Sequence, residues 1–318
     1  MSARARVQRA FARLVTALTR AGFERVPGAR PIYALLHRLV FPGGEQRVVV
    51  NGMTMWVDTR DRVIATQLLG GGAWEPAETS AFLARLREGM CVFDVGANVG
   101  IYTLLAARAV GPSGRVYAFE PEPRNFALLT RNVAENGFTN VRLVNAAVSD
   151  RAGVTRLHLD DANFGAHSFE AGSVRTSSGR SVEVDTVSLD GFVDEARGFE
   201  AGVVVKVDVQ GAEALVVEGG RRLLAMPRVT ALMEIWPEAL ARAQADAAHL
   251  LASLAGLGFR FEDVEAPESG RRALLPAEIL ELCRTRTRRW MNLLLTKSPA
   301  VRESSPPVAR CLPLADGG

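Results

Sequence analysis

The sequence has few cysteines, few histidines and no long apolar run. Its three cysteines, Cys91, Cys283 and Cys311, lie far apart and form no Cys-x-x-Cys pair. This spacing argues against a disulfide framework and a zinc site, and it fits a reducing cytoplasm. No apolar stretch reaches the roughly 18–20 residues that span a bilayer, and the N-terminus lacks the compact apolar segment of a secretory signal. We therefore expect a soluble, cytoplasmic protein.

A large excess of one charge sign is also absent. The chain of 318 residues has 38 basic and 35 acidic residues, which gives a formal charge of +3. This margin does not indicate a nucleic-acid partner. The four histidines show no metal-ligand spacing, and we expect no metal site. A hydrophobic content of 48% suffices for a full core, so we expect one catalytic unit.

The first 46 residues are rich in arginine and have a helical pattern that three prolines interrupt. Phe11, Leu14, Val15 and Leu18 fall on one helical stripe with arginines around it, which is a basic amphipathic pattern. Contact with a membrane surface is one interpretation of this pattern. Packing on its own domain, or on a second subunit of a homodimer, is the interpretation that we favour for this accessory region.

Residues 47–297 form the main predicted domain, and the Pro- and Ser-rich tail 298–318 is expected to be disordered. Asn51-Gly52 between two apolar runs predicts a β-hairpin before the core. From Cys91 onward, short apolar runs alternate with amphipathic segments, which is typical of a parallel sheet covered by helices. We therefore expect a doubly wound α/β fold with an N-terminal helical and hairpin extension.

Seven strands are predicted, at Cys91–Val95, Arg115–Phe119, Val141–Val144, Val203–Asp208, Val229–Ile235, Phe259–Phe261 and Met291–Leu295. One helix is predicted before the first strand, at about 75–86. Four more are predicted after the first, second, fourth and fifth strands, at about 99–110, 122–136, 212–224 and 238–256.

A glycine turn joins the first of these strands to the helix that follows it. Gly96 and Gly100 allow the backbone to turn sharply and to approach a ligand closely at a helix N-terminus. The dinucleotide pattern Gly-x-Gly-x-x-Gly is absent. Glu120, at the end of the next strand, is placed to accept hydrogen bonds from the ribose hydroxyls of an adenosine ligand. Asp94, inside an apolar strand, either caps loop N–H groups or orders the loop beside the ligand.

Three segments in this order and spacing resemble the FkbM-type methyltransferases: Phe93 to Gly100, Phe119 to Pro121 and Val205 to Glu213. The resemblance covers about residues 70–265. It implies a class I methyltransferase (Rossmann-like) fold, a seven-stranded sheet whose last strand is antiparallel, and S-adenosyl-L-methionine as methyl donor. It also implies a small-molecule acceptor, often a sugar or natural-product hydroxyl. The candidate cofactor-binding residues are Asp94, Gly96, Asn98, Gly100, Thr103, Glu120 and Pro121.

Acceptor chemistry is expected at the carboxyl ends of the fourth and fifth strands, where open α/β sheets bind ligands. Asp208 and Glu234 qualify. The period of two puts Lys206 and Asp208 on one face of their strand, and Glu234 is a natural counter-ion for Lys206. We interpret Asp208 as the base or acceptor-orienting group; the alternative is a purely structural ion-pair cluster. Gln210 stands where the family usually carries an acid, which puts a role for that acid in doubt here.

His167 is the one histidine in a loop suited to an active site, between the third and fourth strands. It is either catalytic or a solvated loop histidine.

Two other functions stay open. A nicotinamide-dependent oxidoreductase would use the same strand, glycine turn and ribose acid. A non-catalytic module would use the basic N-terminal helices to bind a membrane or a partner.

Overall fold

A computed structural model describes residues 3–20, 29–41, 43–70, 74–174, 178–267 and 270–297. The predicted disordered tail lies outside these ranges. The described helices are α1 Ala3–Arg20, α2 Ala29–Val40, α3 Ile64–Leu69, α4 Pro76–Leu83, α5 Ile101–Val110, α6 Pro123–Glu135, α7 Val193–Arg197, α8 Glu213–Glu218, α9 Arg221–Ala225, α10 Pro237–Arg242, α11 Ala247–Gly256 and α12 Pro276–Thr285. The strands are β1 Glu45–Val50, β2 Met53–Asp58, β3 Cys91–Val95, β4 Arg115–Phe119, β5 Val141–Val144, β6 Ala147–Val148, β7 Gly153–His158, β8 Ser181–Val187, β9 Val203–Val207, β10 Val229–Ile235, β11 Phe259–Asp263, β12 Ala273–Leu274 and β13 Met291–Lys297.

The main sheet has eight strands in the order β12-β11-β13-β10-β9-β3-β4-β5. Strands β5, β4, β3, β9 and β10 pair in parallel, and β13 inserts antiparallel between β10 and β11. The doubly wound, mostly parallel sheet with an antiparallel final strand is therefore confirmed. All seven predicted strands are present, and the eighth, β12, is a two-residue edge strand.

The inner strands are buried on both faces, which explains their nearly continuous apolar sequences. Phe93 of β3 stacks on Tyr117 of β4 with ring centroids 5.0 Å apart, and Phe192 meets both rings edge-on. Truncation of such a buried aromatic side chain to alanine costs about 3–5 kcal/mol. This packing fixes the relative positions of the strands, so their carboxyl ends converge on one edge of the sheet.

Two helices that the sequence predicts as continuous are each broken in two. The segment 212–224 divides at Gly219-Gly220, where Gly220 has φ of −122° and ψ of 14°. Residue 219 must be glycine, because a Cβ there would lie 2.0 Å from the carbonyl oxygen of Ser149. The segment 238–256 divides where Gln244 adopts a left-handed φ of 58°. Helix α11 then starts afresh with Asp246 as its cap, which accepts a hydrogen bond from the backbone N–H of Ala248 (3.0 Å).

A second, three-stranded sheet of order β6-β8-β7 lies between β5 and β9 in the sequence, and the pattern analysis did not predict it. Its small core consists of Ala147, Leu157, Leu159 and Val184. Strand β7 leads into a segment, 159–169, that returns by pairing His158 with Ser168. This insertion therefore holds a loop over the carboxyl edge of the main sheet.

The predicted hairpin is confirmed as β1 and β2, joined at Asn51 and Gly52 with φ of 50° and 76°. Asn132 of α6 holds it to the core. Its side chain accepts from the Trp56 N–H (2.6 Å) and donates to the carbonyls of Trp56 (3.0 Å) and Val99 (2.8 Å). One buried amide thus connects the hairpin to the glycine loop.

Helix α1 packs on the protein through part of the apolar stripe that the sequence predicts. Phe11, Val15 and Leu18 of this stripe are half-buried, whereas Leu14 is exposed. Among the described side chains of α1, Gln8 and Ala12 are buried. The side chain of Gln8 donates to the carbonyl of Val40 (3.2 Å) and accepts from Gln46 (2.9 Å). Polar contacts therefore orient α1 against α2 and β1. A search of the described residues finds no helix with the length and apolar character needed to cross a membrane.

Candidate active site

The glycine loop after β3 makes a close backbone approach that only glycine allows. Gly96 has φ of 79°, and its N–H and that of Ala97 donate to the Phe119 carbonyl (3.0 and 2.9 Å). A Cβ on Gly96 would lie 2.0 Å from the carbonyl oxygen of Asp208. Gly100, with φ of 94°, precedes α5 and leaves room for Leu129. Gly96 is therefore required where β3, β4 and β9 end together.

Glu120 lies directly against this loop. Its Oε2 accepts from the Asn98 N–H and its Oε1 from the Glu122 N–H, both at 2.8 Å. Burial raises the pKa of Glu120 to about 8, although the backbone hydrogen bonds from Glu122 and Asn98 act in the opposite direction. A carboxylate offers about four lone-pair sites, so each oxygen keeps acceptor capacity for a ligand hydroxyl.

Asp94 and Thr103 lie behind the loop, fully buried. The Thr103 hydroxyl donates to Asp94 Oδ2 (2.6 Å), while Asp94 Oδ1 is a buried oxygen without a hydrogen-bond partner among the described residues. Burial raises the pKa of Asp94, and the nearby charge of Lys206 opposes that rise. Both side chains are thus placed to support the loop.

One cleft collects most of the residues that the sequence singled out. Its open space is about 1290 Å³ including the mouth. We call the part lined by Gly96, Ala97, Asn98, Glu120 and Pro121 the loop end, and the part lined by Lys206, Asp208, Gln210 and Glu234 the acidic end. His167 also lines the cleft. Of the predicted site residues, Asp94, Gly100 and Thr103 stand behind this lining.

Lys206 forms its ion pair with Asp208 at the acidic end, with Nζ 3.5 Å from Oδ2. The ammonium group also lies 4.7 Å from the centre of the Tyr102 ring. Burial lowers the pKa of Lys206, but the carboxylates of Asp208 and Asp94 outweigh it and the pKa is raised. The expected pairing of Lys206 with Glu234 is wrong in the structure, because Lys206 is level with Leu232 in the sheet and Glu234 lies further along β10.

Gln210 connects the two carboxyl groups of the acidic end. Its Nε2 donates to Asp208 Oδ1 (2.8 Å) and to Glu234 Oε2 (3.2 Å). Burial raises the pKa of Glu234 well above its ordinary value, and the charges of Asp208 and Glu213 add to this rise. The raised pKa favours the neutral acid form of Glu234, and the amide of Gln210 holds Asp208 without adding another charge.

Four residues around the acidic end are not among the site residues that the sequence predicts. The Tyr102 hydroxyl donates to Glu75 Oε2 (3.1 Å), and Asn292 of β13 donates to Glu78 Oε2. Burial, followed by the charge of Glu75, raises the pKa of Glu78 to about 8. Glu75 and Glu78 belong to the start of α4, so only the tertiary fold brings them near Lys206. The Trp74-Glu75-Pro76 sequence was the one available hint, and both Trp74 and Glu75 line the cleft.

His167 is held by the backbone of its own loop. The Asp160 N–H donates to His167 Nδ1 (3.0 Å). Burial lowers the pKa of His167 to about 4, against the opposing charges of Asp160 and Asp161. The ring is therefore neutral at pH 7, and because Nδ1 accepts a hydrogen bond, Nε2 carries the proton. Across the described part of the chain, no group of three or more His, Cys, Asp or Glu side chains is arranged to hold a metal ion.

Residues 94–261, more than half of the chain, match the family model described as the methyltransferase FkbM domain, and the chain belongs to this family. Residues 94–261 are thus a methyltransferase FkbM domain, and its α/β architecture is the class I methyltransferase fold.

Two relatives resemble part of the chain. The 31-O-demethyl-FK506 methyltransferase FkbM of Streptomyces tacrolimicus is 34% identical over 160 residues, which cover 42% of this chain and 60% of that protein. The 2-O-methyltransferase NoeI of Sinorhizobium fredii is 30% identical over 151 residues, which cover 43% of this chain and 60% of that protein. The chain thus spans about 60% of the length of these relatives.

Among solved structures, the methyltransferase FkbM of Methylobacillus flagellatus KT is similar at 14% identity. The similarity covers 66% of this chain and 43% of that one, with a TM-score of 0.37.

Proposed function

We propose that this methyltransferase takes its methyl group from S-adenosyl-L-methionine and transfers it to a hydroxyl oxygen of a small molecule, a sugar or a secondary metabolite. One observation carries the proposal: a single cleft joins Glu120, set against a glycine loop, to Asp208, set beside a buried lysine. The first arrangement suits an adenosine ribose and the second suits an acceptor hydroxyl.

The loop end fits the donor in its chemistry. Glu120 would accept hydrogen bonds from the two ribose hydroxyls, and Pro121 lies next to it on the cleft wall. Asn98 Oδ1 is buried and has no partner among the described residues, so it is an acceptor that a ligand donor would satisfy. When bound, the donor supplies a methyl group on a positively charged sulfonium.

At the acidic end, Asp208 would orient the acceptor hydroxyl and take its proton as the oxygen attacks. Lys206 Nζ lies 3.5 Å from Asp208 Oδ2, and the amide of Gln210 donates to the other carboxylate oxygen, so both oxygens of Asp208 are held in place. General-base assistance of this kind contributes about 10²–10⁴-fold to rate, and positioning of the two reactants contributes as well. Glu234, which accepts a hydrogen bond from Gln210, is a positioning residue in this scheme.

His167 takes a donor role in this proposal. A base at Nε2 would need the opposite tautomer, and that tautomer would set the Nδ1–H against the N–H of Asp160. The favoured tautomer presents Nε2–H, which can donate to the acceptor molecule. His167 would therefore hold the acceptor and leave proton removal to Asp208.

The relatives support oxygen as the accepting atom. The name of the Streptomyces tacrolimicus protein refers to a 31-O position, and that of the Sinorhizobium fredii protein refers to a 2-O position. We carry over to this chain only the class of acceptor, a hydroxyl-bearing small molecule.

Calorimetric titration separates this proposal from a nicotinamide-dependent oxidoreductase. We expect S-adenosylhomocysteine, the demethylated product, to bind in the micromolar range and NADH to give no heat. Incubation with radiolabelled S-adenosylmethionine and a panel of sugar and polyketide alcohols then tests the acceptor class. Binding of NADH without binding of S-adenosylhomocysteine would overturn the donor, and methylation of amines alone would overturn the oxygen acceptor.

A further inference from the structure

Helix α2 carries a complete apolar stripe on its solvent face. Ile32, Leu35, Leu36 and Leu39 follow the spacing i, i+3, i+4 and i+7, which places them on one side of the helix. Their exposed fractions range from 44 to 71%. A stripe with this spacing normally faces a core. Here four large apolar side chains of one helix face solvent side by side. They form a contiguous patch, unlike the single exposed apolar residues that are normal on protein surfaces.

The stripe remains after the two N-terminal helices have packed. Phe11 of α1 lies over Tyr33 of α2 with parallel rings 6.3 Å apart, and it meets Phe41 edge-on at 6.1 Å. The hydroxyl of Tyr33 donates to the Arg62 carbonyl (2.9 Å). Helix α1 adds Val7 and Leu14, two turns apart and 58 and 57% exposed, to the same kind of surface. We call these six exposed residues the apolar face.

The Arg, Lys, Asp and Glu residues of α1 and α2 all have one sign of charge. Helix α1 contains five arginines and α2 contains two, and neither contains an acidic residue. Arg6, Arg9, Arg13 and Arg38 are exposed. The whole chain has 38 basic and 35 acidic residues, so the rest of the chain has more acidic than basic residues. The positive charge of this protein is therefore concentrated on the two helices that expose apolar side chains.

We propose that the apolar face of α1 and α2 docks on the surface of an anionic lipid bilayer. Exposed leucines on helices whose polar positions are arginine match the acyl boundary and the anionic headgroups of such a surface. A second copy of the chain would bring seven further arginines, and no acid from these helices, against the first seven. Charge complementarity thus favours the bilayer over self-association.

Docking through this face involves the wall of the cleft. Tyr33 of α2 also lies within hydrogen-bond distance of Thr66 Oγ1 (3.2 Å) in α3. Val63, Ile64 and Gln67, from the same segment, line the cleft. A bilayer that contacts α2 therefore lies one helix away from the cleft wall. Such a bilayer is where hydroxyl-bearing amphiphiles reside. This last consequence rests on the proposed function, whereas docking itself does not.

Vesicle co-sedimentation of the full chain tests the proposal, with phosphatidylglycerol–phosphatidylcholine vesicles against phosphatidylcholine alone. At about 0.1 M salt, where the Debye length is about 10 Å, we expect binding to the anionic vesicles only. The double variant Leu35→Asp/Leu39→Asp should lose about tenfold or more of the partition coefficient, and Arg9→Glu/Arg13→Glu should lose a similar factor. Val154→Asp, at a residue 66% exposed on β7, is the matched control and should stay within about twofold of wild type.

Circular dichroism melts check that each variant folds, which is expected because the substituted side chains are exposed. Equal sedimentation of wild type and Leu35→Asp/Leu39→Asp would overturn the proposal. So would a dimer, seen by light scattering, that dissociates in this variant while no vesicles are bound, because the face would then belong to a second copy. Titration with S-adenosylhomocysteine is separate from this assay, so failure of docking and failure of the proposed function give different results.

Discussion

The two ends of the cleft are built in different ways. The loop end uses backbone N–H groups and one carboxylate, Glu120, from two consecutive strand–loop units. The acidic end uses side-chain charges, and α4, β9, β10 and β13 all contribute to it or to its surroundings. The loop end therefore depends on local chain geometry, and the acidic end depends on the whole tertiary fold.

This difference predicts that the ends can be damaged separately. A change at the loop end should remove donor binding, because the backbone itself forms the site. A change at the acidic end should leave donor binding intact and slow the reaction. The following substitutions test this separation.

Gly96→Ala should give the largest effect. The new Cβ would lie 2.0 Å from the Asp208 carbonyl oxygen, at a φ of 79° that already disfavours alanine. We expect binding of S-adenosylhomocysteine to weaken beyond detection in calorimetry. Gly137→Ala is the matched control, since Gly137 has φ of 68° but no atom within 4 Å of the new Cβ. It should cost about 1–2 kcal/mol of stability and leave affinity unchanged; equal loss in both variants would show that strain alone is responsible.

Asp208→Asn comes next, with kcat expected to fall about 10²–10⁴-fold. The substitution keeps an oxygen for the amide of Gln210 but removes the group that takes the proton. Turnover is measured with an acceptor from the alcohol panel. Asp194→Asn, at a side chain 87% exposed, serves as control and should retain wild-type kcat. Near wild-type turnover of Asp208→Asn would remove Asp208 from the chemistry and favour a structural ion-pair cluster.

His167 gives a smaller effect that separates donor from base. We expect His167→Phe to raise KM for the acceptor about tenfold, as a lost hydrogen bond of roughly 1.4 kcal/mol predicts, and His167→Gln to recover most of it. Because the pKa of His167 lies at about 4, titration of His167 should cause no change in wild-type activity between pH 5.5 and 7.5. If activity instead changes with pH in that range, and the change disappears in His167→Gln, His167 is the base.

Glu78→Gln gives the smallest effect, on stability. Burial raises the pKa of Glu78 to about 8, so between its ordinary value and pH 8 the folded state binds more protons than the unfolded state. This group therefore makes wild type less stable as pH rises from about 4.5 to 8. The Tm of Glu78→Gln minus that of wild type should therefore increase over this pH range. Each kcal/mol of unfolding free energy that wild type loses corresponds to about 2–4 °C of this difference. Glu183→Gln, at an exposed residue, should show a flat difference; a flat difference for Glu78→Gln would contradict the raised pKa.

The sequence was most informative where structure is local. Three features follow from neighbours in the chain, and the structure has them as expected: the strands β3, β4 and β9, the turn at Asn51-Gly52, and the position of Glu120 beside the loop. Helix ends were harder. The need for glycine at 219, where α8 ends, depends on Ser149, a residue far away in the sequence, and no local pattern reports that approach.

The acidic end shows the same limit in its electrostatics. The sequence places Lys206 and Asp208 on one face correctly, but the partner of Lys206 depends on the register between β9 and β10. The packing of α4 brings Glu75 to the cleft wall and brings the charge of Glu78 near Lys206. His167 reaches the cleft through the small sheet that the sequence pattern did not predict. Strand spacing alone contains none of this information.

Titration of S-adenosylhomocysteine into Glu120→Gln and Asp208→Asn tests the central claim most directly. Glutamine at 120 can no longer accept from both backbone N–H groups and from ribose hydroxyls, so we expect affinity to fall about tenfold or more. Asp208→Asn should bind within about threefold of wild type, a change of less than about 0.7 kcal/mol. Equal loss in both variants, or loss in Asp208→Asn alone, would contradict a cleft with a donor-binding loop end and a separate catalytic acidic end.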